Sequence, residues 1–128
     1  MSEGTVYLDL EDLLDIARAA VDGDVLVRDH GLLEAAAARP ATTVFGSEAY
    51  PDDLTKAAAL LHSLVTSHPL VGGDERLGWL ATVVFLELNH HHWSRIVDDE
   101  VEVLVVAIAD ETLRDVDKIA EELRRLWA

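Results

Sequence analysis

Two apolar runs with helical spacing, Leu54–Val65 and Leu77–Leu88, are joined only by the stretch Ser67-His68-Pro69-Leu70-Val71-Gly72-Gly73-Asp74-Glu75-Arg76. In the first run Leu54, Ala57, Ala58, Leu61, Leu64 and Val65 recur at the three- and four-residue steps of a broad helix face. The second carries Leu77, Trp79, Leu80, Val83, Val84, Phe85 and Leu88 and is apolar on nearly every side, as expected of a helix central to a bundle. The connection holds a histidine, two glycines, two acids and an arginine, so it exposes backbone amides beside a proton acceptor. Packing alone rarely asks for that combination. An ordinary helix–helix connection would also use Gly to turn tightly and Asp-Glu as charges at a helix N-terminus.

The rest of the pattern is helical as well. Asp9 precedes Leu10, Leu13, Leu14, Ile16 and Ala17, with Asp12 in the first turn, which predicts a capped helix ending near Asp22-Gly23-Asp24. Asp29 caps a shorter helix through Leu32, Leu33, Ala36 and Ala37, stopped by Pro40. Helices three and four run from Asp52 to Ser67 and from Glu75 to Asn89; Asp99–Ala109 and Val116–Trp127 supply two more. Val6-Tyr7-Leu8-Asp9 alternates like a strand or an extended arm, and residues 41–52 read as a loop. The expected fold is all-α, a compact bundle of about six helices with a short N-terminal arm. No stretch has the composition of a linker, so residues 1–128 form one expected domain.

Half of the 128 residues are hydrophobic, enough for one real core. The formal charge of −15 repels phosphate backbones and anionic lipids, so neither nucleic acid nor membrane is an expected partner. It favours basic peptides, or serves simply as an acidic, soluble surface. No apolar run reaches the roughly 20 residues of a membrane span. Met1-Ser2-Glu3-Gly4 does not begin a signal peptide. The absence of cysteine rules out disulfides and zinc-thiolate sites and makes a reducing cytoplasm the simplest compartment.

Several separated segments, in order, carry a resemblance. They are Val27-Arg28-Asp29-His30-Gly31-Leu32-Leu33-Glu34, Ala38-Arg39-Pro40, Tyr50-Pro51, Lys56-Ala57-Ala58, the central loop and Phe85-Leu86-Glu87-Leu88-Asn89. From about Tyr7 to Asn89 the chain resembles the Doc (death-on-curing) branch of the Fic family. Its members are small helical bundles, usually toxins of toxin–antitoxin pairs, that move a phosphoryl or nucleotidyl group from a nucleotide to a protein hydroxyl. The family loop reads H-P-F-x-D-G-N-K-R. His68, Pro69, Gly73 and Arg76 match it, and Leu70 stands for Phe. Gly72 occupies the place of the acidic, magnesium-associated residue, Asp74 replaces Asn, and Glu75 replaces Lys.

The resemblance implies His68 as the general base, with Gly72, Gly73 and Arg76 around the phosphate of ATP or another nucleotide. Those roles suit the residue types: imidazole is a base near neutral pH, glycine lets backbone approach a ligand, and arginine grips phosphate with two prongs. Asp74 or Glu75 would hold magnesium, since a metal moved there turns two repulsive carboxylates into ligands. Thr42, Thr43 and Tyr50 lie where such folds carry a flap over the cleft. An antitoxin segment and a protein substrate are the implied partners. Alternatives are a catalytically silent relative that keeps the cleft for binding, and one adapted to a different small substrate. Elsewhere, His90-His91-His92 suits the negative end of a helix better than a metal, and His62 reads as a partly buried helix residue. Arg28 and Asp29 are explained by a local salt bridge with helix capping. Trp79 belongs in the core with Trp127 closing the last helix against it, and the three tryptophans are too widely spread to form a platform.

Overall fold

The computed structural model describes residues 4–93 and 98–128; Met1–Glu3, which carry most of the signal-peptide reading, lie outside that range. Six α-helices follow the expected order. Helix α1 spans Leu10–Ala20 and opens with a reciprocal box, the Asp9 carboxylate accepting from the Asp12 amide and the Asp12 carboxylate from the Asp9 amide. Helix α2, His30–Ala38, is capped by Asp29 through the Leu32 amide, and Pro40 diverts its end into a 3₁₀ turn over Arg39–Ala41. Helix α3, Asp53–Ser67, is capped by Asp52, and α4 covers Asp74–Leu88. Helices α5, Asp98–Ala109, and α6, Val116–Trp127, complete the bundle, the latter capped by Asp115.

Residues from all six helices meet in one buried cluster, among them Leu13, Leu33, Leu61, Phe85, Ile108 and Leu123. The central helix is α3 rather than α4. It packs against α2, α4, α5 and α6, whereas α4 packs chiefly against α1, α3 and α5. The buried run Ala57-Ala58-Ala59 makes this possible, because small side chains let other helices approach from several directions. Gly78 on α4 serves the same purpose: a Cβ there would lie 2.8 Å from Val65 Cγ2 and 3.3 Å from Leu61 Cδ1.

Residues 41–52 are more ordered than a plain loop. Strands β1, Thr43–Val44, and β2, Ser47–Glu48, pair antiparallel with Thr43 opposite Glu48. Phe45 and Gly46 both take positive φ, 52° and 82°, the geometry of a tight two-residue hairpin turn. The N-terminal segment is an arm and not a strand. The Asn89 side-chain amide receives the Val6 N–H at 2.8 Å and donates to the Val6 carbonyl at 2.9 Å, so one side chain stands in for a partner strand. The tryptophans, distant in sequence, converge: ring centroids of Trp79 and Trp93 are 5.1 Å apart, and those of Trp93 and Trp127 4.6 Å. The expectation of scattered tryptophans fails because the C-terminus of α6 brings Trp127 against Trp79 of α4, at 5.7 Å between centroids, and against the segment after α4, where Trp127 Nε1 donates to the His91 carbonyl.

Candidate active site

The α3–α4 connection is clamped from one side by residues 26–29. Leu70 forms an antiparallel bridge with Val27, the Val71 amide donates to Leu26, and the Arg28 and Asp29 amides both donate to the Pro69 carbonyl. The Arg28 guanidinium donates to the His68 carbonyl at 2.6 Å and to the Ser67 carbonyl at 2.8 Å. It therefore caps the end of α3, where unpaired carbonyls gather, and is not explained by a local salt bridge with Asp29. The reason is tertiary: these partners are about 40 residues apart in the chain.

Held this way, His68 sits at the α3 C-cap in the left-handed region, φ 56° and ψ 59°, a place that usually falls to glycine. Its imidazole is 62% exposed, and Nδ1 lies 3.3 Å from Asp74 Oδ2. The Asp74 side chain is 10% exposed; its other oxygen accepts from the Leu70 amide at 2.9 Å. Asp74, the first residue of α4, thus ties the turn together internally.

The two glycines differ. Gly73 is the α4 N-cap at φ 93°, offers no side-chain cap, and a Cβ there would fall 2.6 Å from Val21 Cγ2. Gly72 has open space where a Cβ would go and no positive φ, so a side chain fits at the position of the family acid. The first-turn residues of α4, whose amides lack intrahelical acceptors, border a cavity of about 510 Å³. Val21, Asp22, Val65, His68, Gly73, Asp74, Glu75 and Arg76 line it. Arg76 reaches Asp22 at 3.6 Å, and both side chains are well exposed. His68, Gly73, Asp74, Glu75 and Arg76 are therefore brought together as the sequence suggests, with the end of α1 as an unforeseen wall.

The expected flap does not line this cavity. Thr42 borders a separate hollow of about 300 Å³ with Arg39, Ser63 and Ser67, and Thr43 sits in β1. The Tyr50 hydroxyl accepts from Arg39 Nε at 3.0 Å. Arg39 also donates to Ser63 Oγ and to His62 Nδ1, at 2.9 and 2.8 Å. Burial and the Arg39 charge hold the His62 pKa below its ordinary value, keeping it neutral as an acceptor. Lys56, fully buried, donates to Glu48 at 2.9 Å and to the Tyr50 carbonyl, anchoring the hairpin on α3. In the sequence Lys56 stands out only through the family-like segment Lys56-Ala57-Ala58 and as a lysine beside the apolar face of α3, neither of which announces its anchoring contacts.

For a divalent cation the donor set is thin. Asp74 is committed to its own turn, which leaves Glu75 as the exposed carboxylate of the pair. Among the described residues no three His, Cys, Asp or Glu gather in a metal-holding group. Of the histidine triplet, His91 pairs with Asp53 at 2.9 Å and His92 with Glu87 at 2.6 Å, each a separate contact.

Sequence comparison fits this architecture. The model of the Fic/DOC family matches residues 7–86, a span that includes the whole clamped turn, and the chain belongs to that family. It is similar to the protein named Toxin Doc of Mycolicibacterium smegmatis (strain ATCC 700084 / mc(2)155), at 46% identity over 120 residues, covering 93% of this chain and 92% of that protein.

Proposed function

We propose that this chain is the toxin member of a toxin–antitoxin pair and that its cleft moves a phosphate-derived group from a nucleotide to a protein hydroxyl. The observation that carries this reading is His68, exposed and fixed at the uncapped end of α4. A hydroxyl beside the imidazole gives its proton to Nε2 as its oxygen bonds to phosphorus, and the remaining nucleotide fragment departs. The Gly73 turn, the first-turn amides and Arg76 receive the phosphate oxygens. Glu75 is the exposed carboxylate that would be available to hold magnesium, which when bound would neutralise charge developing on the phosphate. Supporting the pairing with an antitoxin is the Doc relationship, and the net charge favours a basic covering segment.

A second reading, a silent relative that binds without transfer, is favoured by the acids around the cavity. Without metal, each carboxylate about 4 Å from a phosphate costs on the order of 1 kcal/mol in water and about 4 kcal/mol near a protein surface. Arg76 is moreover turned toward Asp22. Thermal unfolding with ATP or GTP, with and without magnesium, separates the two. Stabilisation that requires magnesium and disappears in Arg76→Ala supports transfer. No shift at millimolar nucleotide, with a shift gained by Gly72→Asp/Glu75→Lys, supports the silent reading.

A further inference from the structure

We propose that Asp74 is a positioning residue for His68, fixing the imidazole proton on Nδ1 so that Nε2 carries the free lone pair toward the cavity. The inference deepens the reading of His68 as the base and rests on it. A carboxylate has no proton to give at neutral pH, so contact between Asp74 Oδ2 and His68 Nδ1 requires the ring to donate through Nδ1. The second oxygen is held by the Leu70 amide inside a buried turn, so the carboxylate cannot swing away without breaking that bond. The ring is anchored at its other end as well: Arg28 grips the His68 carbonyl and the left-handed backbone sets the direction of the side chain. The remaining charged residues lining the cavity, Asp22, Glu75 and Arg76, make no hydrogen bond or ion pair with Nδ1 among the described residues. A neutral imidazole oriented by a buried carboxylate is the arrangement in which the far nitrogen acts as a base. On this account the Asn-to-Asp change at position 74 supplies an imidazole partner and not a metal ligand.

The tautomer is read directly from a long-range proton–nitrogen spectrum of the full chain, labelled in histidine and recorded about one to two units above the ordinary histidine pKa. His68→Ala identifies the signal. In the native protein His68 is expected to show a protonated Nδ1 and a bare Nε2. Asp74→Asn keeps an oxygen for the Leu70 amide but turns an N–H₂ toward Nδ1, which must then accept; the tautomer ratio is expected to reverse while the helical circular dichroism stays unchanged. A native His68 protonated chiefly on Nε2, or the same tautomer in both proteins, overturns the proposal. Should the variant fail to fold, the native spectrum alone decides. Because the spectrum needs no nucleotide, loss of the transferase reading would leave this result standing, and the reverse holds as well.

Discussion

At the scale of single residues, the neighbouring glycines make the sharpest contrast. Gly73→Ala forces a side chain into a left-handed backbone and against Val21, and should destabilise the protein by about 1–3 kcal/mol in urea unfolding. Gly72→Ala meets open space and should change stability by less than about 0.5 kcal/mol. Arg28→Ala removes two charge-assisted bonds from the end of α3 and should cost about 1–2 kcal/mol by the same measurement. His68, Gly73 and Arg76 were legible as a group because they adjoin in sequence. The work of Arg28 and the two bonds of Asp74 were not, since both depend on a turn whose backbone path no local pattern specifies. His62 adds a pH dependence. Its folded pKa lies below the ordinary value of 6.5, so the unfolded chain binds the proton more readily. Its contribution is complete above that value and is lost as pH falls through the folded pKa. The melting temperature should therefore decline on acidification below about 6.5, and less steeply in His62→Gln.

At the scale of elements, helix positions were readable because each has an aspartate cap or an apolar stripe, and four of the six helices carry a side-chain aspartate cap. The hairpin at 43–48 was not readable. Its strands are two residues each and its turn is Phe-Gly, lacking the Asn-Gly or Asp-Gly signal. What holds it is the buried ammonium of Lys56 on the next helix. Lys56→Met should accelerate amide hydrogen exchange at Val44 and Ser47 while α3 and α4 keep their protection. Glu48 is half exposed and can be solvated once alone, so the global loss should stay within about 1 kcal/mol. Uniform loss of protection across the helices would show that the hairpin is not a separately anchored unit. The centrality of α3 also escaped the pattern, because hydrophobicity alone ranks α4 above it; the alanines that admit four neighbours are quieter in sequence than leucines.

At the scale of the whole molecule, the bundle brings the ends of α1, α3 and α4 to one cavity. No helix among the described residues is long and apolar enough to cross a membrane. Charge at the cavity sets the balance between its two readings: the open helix end and Arg76 attract a phosphate, while Asp22 and Glu75 repel it unless a cation intervenes. On the proposed reading His68 serves as the base and the phosphate seat depends on magnesium. Controlled expression of the native chain without any partner, beside His68→Ala produced at the same level, tests this account most directly. It predicts growth arrest by the native chain and normal growth with His68→Ala; arrest by both proteins, or by neither, would contradict it.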